Sequence, residues 1–336
     1  MAEMRYGRIP QSNKSISRIV QGTAFLKTET KAEHFAYLDQ IYERGCTAVD
    51  TGQSYGKGES ERVLGEWMQS RNIRENIFVL SKCCHPTIDR DRVTPFDITA
   101  DLHDSLARLR TDYIDLYLLH RDDVTKPVGP LVERFNQHIR EGKILAYGGS
   151  NWTPRRIAEA NDYAQQHGLV GFAASSPQFS LAAPAIEPWP GCLSIGGTKG
   201  TADCQWYQQE KMPLFVWSSL ATGFFSGRFT KENRATFLAE ETYWLDKVCA
   251  EAFCTDENFA LLQRVTQLAT EKKATLAQIA VAYVLNHQLQ PFAVIGSRKI
   301  KEFTENLTAV SIHLNAQEID WLTGNKKRIR PQRETL

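Results

Sequence analysis

Charge of one sign is what this chain most plainly lacks. Lys and Arg total 40 against 39 for Asp and Glu, a net charge of +1 over 336 residues. Such a balance leaves no basic stripe for nucleic acid and no polybasic patch for an anionic membrane surface. No apolar run approaches the ~20 residues of a membrane helix. The opening MAEMRYGRIP lacks the apolar stretch of a signal peptide. No GxGxxG follows the first apolar run, so a Rossmann dinucleotide site is not indicated. The seven cysteines (46, 83, 84, 192, 204, 249, 254) are odd in number and form no CxxC, which points to reduced thiols and a cytoplasmic setting. Cys83-Cys84 reads first as a pair of small packing residues beside Lys82. The expected partner is a small molecule, with no nucleic acid and no membrane. Nothing in the sequence speaks to oligomeric state.

What is present is rhythm. Eight short apolar runs, IVQG, TAVD, IFVLS, YIDLYLLH, ILAYGGS, GFAASS, PLFVWSS and FAVIGS, have the character of parallel strands buried on both faces. Between them lie apolar stripes at helical spacing: Phe35, Leu38 and Ile41; Ile98, Leu102, Leu106 and Leu109; Leu131, Phe135 and Ile139. Thr153-Pro154 opens a further helix. Residues 256–273 and 275–286 read as two more, and Asn315 caps a terminal one. The start alternates weakly and turns at Gln11–Asn13, as a hairpin does. Strands alternating with helices predict a βα-repeat fold closing into a parallel barrel. Residues 181–211 and 220–256 break the rhythm after strands, so both are expected over the rim where strands end.

Asp50, Tyr55, Lys82 and His120 each lie at or just past a predicted strand end, so the barrel brings them to one pocket. Reducing a carbonyl needs a hydride, which no side chain supplies, and a proton at oxygen. Tyr55 is the candidate acid. A free phenol titrates near ~10, and a Lys82 ammonium nearby is expected to lower that value. Asp50 can hold Lys82 charged and in place, and His120 can donate to the carbonyl oxygen. A metal site from Asp50 and His120 lacks a third ligand at suitable spacing, so no metal is expected. A hydrolase using Asp50 with Asp122 or Asp123 is a weaker alternative.

Gly22-Thr23, DTGQSYGKGESERVLGEW, Ser81-Lys82, LRTDYIDLYLLH, GGSNW and IGSRKIKEFTENLTA follow one another between about Val20 and Leu322. In that order the chain resembles the aldo-keto reductases, nicotinamide-dependent carbonyl reductases. The resemblance implies an α/β fold, a (β/α)₈ TIM barrel with an N-terminal β-hairpin cap and long loops on the catalytic rim. It implies one domain over 1–336, with a barrel core of about 16–310 and a C-terminal helix and basic tail at 315–336. The implied activity is NAD(P)H-dependent reduction of an aldehyde, ketone or sugar carbonyl, with Tyr55, Lys82, Asp50 and His120 catalytic. A cofactor-bound regulatory or redox-sensing subunit is the alternative, although no long N-terminal extension of the channel-blocking kind is present.

For the cofactor, the resemblance points to Gly22, Thr23 and Asp50, to Ser150, Asn151 and Gln178 at the carboxamide, and to Trp217 against the nicotinamide ring. Ser218, Ser219, Leu220 and Gly223 begin the loop over the pyrophosphate, with Arg228 as a charged contact. Ile295, Gly296, Ser297 and Arg298 lead into a helix start suited to the 2′-phosphate, and Glu305 and Asn306 reach the adenine. Glu302 departs from the Arg or Gln of many relatives and opposes a 2′-phosphate. NADPH is the expected cofactor, with NADH possible. His85, Arg121, Trp152 and Trp189, with Trp206, are expected to line the substrate mouth alongside Tyr55 and His120.

Overall fold

The computed structural model describes residues 3–324; the basic tail lies outside them. Strands β1 (Tyr6–Gly7) and β2 (Ile16–Ser17) pair antiparallel as a hairpin. Eight parallel strands follow: β3 (Ile19–Gly22), β4 (Ala48–Asp50), β5 (Phe78–Cys83), β6 (Ile114–Leu119), β7 (Ile144–Ser150), β8 (Ala174–Ser176), β9 (Phe215–Val216) and β10 (Phe292–Ile295). Each pairs with its sequence neighbours, β10 returns to β3, and a parallel bridge from Ser175 to Leu214 joins β8 to β9. The sheet is therefore a closed barrel with no free edge, and all eight predicted strands are found in it.

The barrel interior is filled, not hollow. Val20, Ala48, Phe78, Leu80, Leu116, Leu118, Ala146, Ala174, Phe215 and Phe292 make one buried cluster, and Ile9 and Ile16 of the hairpin region join it. The hairpin thus plugs the floor with two isoleucines. Phe215 stacks on Phe292 with ring centroids 4.5 Å apart and on Phe78 at 5.7 Å.

Outside the strands lie α1 (Lys31–Glu43), α2 (Glu59–Arg71), α3 (Pro95–Leu109), α4 (Gly129–Arg140) and α5 (Pro154–Gln166). The rest are α6 (Thr201–Glu210), α7 (Arg234–Phe237), α8 (Trp244–Ala252), α9 (Asp256–Lys272), α10 (Leu276–Asn286), α11 (Ile300–Thr308) and α12 (Ala316–Leu322). The predicted stripes face the strands: Leu38, Ile41, Ile98, Leu102, Leu109, Leu131 and Phe135 are all buried in the outer core. Thr153 and Asn315 cap α5 and α12, their side chains accepting from the Arg156 and Glu318 amides. One difference concerns residues 181–211. Their last third is α6, hidden from sequence because only Tyr207 of its ten residues is buried. No helix among the described residues is long and apolar enough to cross a membrane.

Candidate active site

Register sets the site. Gly22 lies beside Asp50, Asp50 beside Leu80, and Lys82 beside Leu118, two residues before His120. The ends of β3 to β6 therefore deliver Asp50, Lys82 and His120 to one rim. Tyr55 arrives on the turn from β4 into α2. That turn contains Gly56 and Gly58 with φ of 56° and 88°. The φ at Gly58 favours glycine, and a Cβ there would also displace the Arg108 side chain, whose Nε would lie 2.7 Å away. Two residues into α2, buried Glu61 accepts the Ser81 hydroxyl at 2.7 Å, and Arg108 lies 3.4 Å from it. The GESER segment thereby clamps the strand residue preceding Lys82.

Lys82 Nζ donates to Asp50 Oδ2 at 2.7 Å, to the Thr51 carbonyl at 2.8 Å and to Tyr55 Oη at 3.1 Å. Burial works against charge on Lys82, yet Asp50 and Tyr55 hold the ammonium above its ordinary value. Burial pushes the Tyr55 phenol up, and Lys82 pulls it back only in part. The expected net lowering is thus corrected: Lys82 acts in the predicted direction, but desolvation outweighs it. Burial, with Lys82, Arg121 and His85 adding to it, holds His120 well below the ordinary imidazole value, so the ring is neutral. Its Nδ1 is buried with no hydrogen-bond partner among the described residues. The His120 ring sits edge-on to Tyr55 at 5.8 Å and to His85 at 4.8 Å. His85 is aimed there by Cys84, whose backbone is left-handed (φ 61°) and whose amide donates to Asp101.

The remaining candidates divide. Thr23 gives both its amide and its hydroxyl to the Asp50 carbonyl, so it positions Asp50. Ser150 Oγ donates to the Ser176 carbonyl. Asn151 Oδ1 accepts from the Leu193 amide and Trp217 Nε1, while its Nδ2 donates to His120 O. Gln178 bonds Ser180 and Ser194. These amides, expected to face a carboxamide, are held by the protein itself. Trp189 covers Trp217 at 5.5 Å and touches Trp244 at 6.3 Å. Trp152 is fully buried, its Nε1 donating to the Arg121 carbonyl. The expectation that it lines the mouth is corrected, because it packs on Phe172 and Arg156 instead. Trp206 lies on α6 against Tyr207. Cys83 and Cys84 are both fully buried.

Past β9, Ser218, Ala221, Thr222 and Gly223 all have positive φ, which folds the chain into a tight loop. Ser219 Oγ donates to the Val216 carbonyl, and Leu220 is half-buried. Arg228 is not free for a phosphate: Asp246 grips it with bonds of 2.9 and 2.8 Å. Beyond Ile295, Gly296 and Arg298 are exposed while Ser297 is buried. Arg298 donates to Tyr243 Oη at 2.9 Å. Glu302 accepts the Arg298 and Lys299 amides, capping α11. Glu305 is half-buried, and the Oδ1 of buried Asn306 is unpartnered among the described residues. Tyr243 and Asp246 went unforeseen, since a residue 18 positions from Arg228 leaves no spacing signal.

The aldo/keto reductase family profile matches residues 18–325. The chain belongs to that family. It is accordingly an NAD(P)H-dependent oxidoreductase of aldo-keto reductase type. Norsolorinic acid reductase of Emericella nidulans is 27% identical over 315 residues, 89% of this chain and 73% of that protein. A probable aryl-alcohol dehydrogenase of Saccharomyces cerevisiae is 26% identical, over 87% of each chain. Among solved structures, an aldo-keto reductase from Klebsiella pneumoniae in complex with NADPH has a TM-score of 0.68 at 23% identity, over 100% of this chain and 98% of that one. A thermostable aldo-keto reductase in complex with the inhibitor epalrestat gives 0.70 at 21%, over 95% and 98%. Both bear on the fold.

The alternative pairing of Asp50 with Asp122 or Asp123 finds each carboxylate already engaged. Asp50 is taken by Lys82, Asp122 by Arg156 at 2.9 Å, and Asp123 by Thr125.

Proposed function

We propose that this reductase converts an aldehyde or ketone to the alcohol with NADPH, the proton coming from Tyr55. The observation that carries the reading is the 3.1 Å contact of Tyr55 Oη with a buried Lys82 ammonium that is itself locked to Asp50. The nicotinamide supplies a hydride. Everything else falls to the chain. Tyr55 gives its proton to the carbonyl oxygen. Lys82 stabilises the phenolate left behind, and Asp50 keeps Lys82 charged. His120, neutral, donates a hydrogen bond to the same oxygen.

The residues present fit a nicotinamide dinucleotide. Arg298 is exposed beside the start of α11, and the orphaned Asn306 Oδ1 suits an exocyclic amine such as that of adenine. Arg298 supports NADPH, as does the NADPH of the Klebsiella pneumoniae relative. Glu302 opposes it. The relatives named for norsolorinic acid and aryl alcohols favour an aromatic carbonyl over a sugar, in keeping with the Trp189–Trp217 wall. All seven cysteines are free thiols, which suits a reducing, cytoplasmic setting. The test is absorbance loss from NADPH and from NADH with a panel of aryl aldehydes, ketones and aldoses. Oxidation of neither cofactor by any carbonyl sinks the reading.

A further inference from the structure

We propose that Arg121 is a specificity residue that anchors a carboxylate on the substrate, so that the site takes carbonyl compounds bearing an acid group. The inference rests on the reductase reading and names its substrate class. Arg121 follows His120 directly and is half-buried. Its Nη1 donates to the His120 carbonyl at 2.9 Å, and its Nε donates to the Pro190 carbonyl at 3.2 Å. Two nitrogens of the guanidinium are thus pinned by backbone. Nη2 has no hydrogen-bond partner, and no carboxylate pairs with Arg121, among the described residues.

The neighbouring acids are all engaged elsewhere. Asp50 holds Lys82, Asp122 holds Arg156, Asp123 holds Thr125, and Glu187 accepts the Gly191 amide at 3.0 Å. Arg121, in no salt bridge among the described residues, therefore adds positive charge beside the catalytic residues. That charge is felt at three of the site's rings: it opposes protonation of His120 and His85 and favours the Tyr55 phenolate. A guanidinium with free N–H donors beside a substrate mouth offers an anionic group charge-assisted hydrogen bonds. With Nε–H and one Nη1–H given to backbone, the remaining Nη1 and Nη2 hydrogens are left to donate to a carboxylate.

The tip of the 189–191 segment lies against Arg121. Gly191 has φ 72°, and a Cβ there would stand 3.4 Å from Arg121 Cδ. Two residues earlier, Trp189 lies against Trp217. One short segment therefore seats an indole wall and a fixed cation together. An aryl carbonyl carrying a carboxylate satisfies both.

Two measurements test this. In the first, benzoate and methyl benzoate are titrated against the protein by quenching of tryptophan fluorescence, which needs no turnover. Benzoate is expected to bind ~10-fold or more tightly than the ester. Arg121→Gln should abolish that difference, and Arg121→Lys should keep part of it. In the second, para-carboxybenzaldehyde is compared with its methyl ester at saturating NADPH. The acid should lead in kcat/KM, chiefly through KM, and the lead should shrink with added salt and vanish in Arg121→Gln. Equal treatment of acid and ester by the unaltered protein, or a preference that survives Arg121→Gln, overturns the assignment. If no carbonyl oxidises NADPH the reductase reading falls, while the benzoate titration still decides the role of Arg121.

Discussion

Lys82 carries three N–H donors, and Asp50, Thr51 and Tyr55 accept one each. That full occupancy separates two variants that activity alone would not. Tyr55→Phe removes the proton donor and one weak acceptor, leaving the Lys82–Asp50 pair intact. Turnover on any accepted carbonyl should fall ~10²-fold or more with little change in melting temperature. Lys82→Met leaves the Asp50 carboxylate buried and unpaired, a change that typically costs about 3–5 kcal/mol. It should therefore lose turnover and also melt at a lower temperature, and raising the pH should not restore its rate. Steady-state rates and thermal unfolding of both variants check this. Near-normal turnover in Tyr55→Phe would remove Tyr55 from the role of acid.

The same residues show what a sequence makes visible. Each of the four follows an apolar run at a strand end, so position alone brought them together. The net acidity of Tyr55 was not visible, because it depends on how completely the pocket is desolvated. Nor was the burial of Trp152. That follows from Gly149, where a Cβ would meet the indole at 2.6 Å; the missing side chain lets the ring fold back under the rim.

At the scale of elements, the start of α11 is the instructive case. A helix N-terminus presents unpaired amides and attracts an anion. Here the anion is built in, since the Glu302 carboxylate accepts the Arg298 amide at 2.9 Å. A 2′-phosphate bound by Arg298, as proposed, would be opposed by that carboxylate. Glu302→Gln should strengthen NADPH binding by ~5-fold or more while changing NADH little. Arg298→Ala should weaken NADPH by ~10-fold or more, again sparing NADH. Fluorescence titration of each cofactor reads both effects. Equal shifts for the two cofactors would mean that neither residue reads the phosphate.

The helix α6 and the segment around Tyr243 mark where element-level reading stops. Both lie in rim insertions that meet parts of the chain remote in sequence, as in Tyr207 of α6 on Ser175 of β8, Trp189 on Trp244 and Tyr243 on Arg298. No periodicity records such a contact.

At the scale of the whole molecule, packing of the outer helices and loops holds several histidines toward the neutral form. His287 shows the consequence most clearly. It caps the end of α10 and packs on Phe179 at 4.9 Å and Tyr283 at 5.9 Å, tying α10 to the segment after β8. Burial holds its pKa down at about 4, against 6.5 for the free ring. A base depressed in the folded state binds fewer protons there than in the unfolded chain, so acid favours unfolding. The contribution of His287 to stability is present above the unfolded value of 6.5 and is lost as pH falls from there toward 4. Between about pH 7 and about pH 5 this shift corresponds to roughly 2 kcal/mol. His34, His85 and His138 are also held low by burial and act with the same sign, so the unaltered protein alone cannot isolate the effect. The comparison is with His287→Gln, which keeps a polar side chain of similar reach and does not titrate. Urea unfolding at the two pH values should show the variant losing about 2 kcal/mol less than the parent on acidification. Parallel losses in parent and variant would show that His287 charges as readily in the folded protein as in the unfolded chain.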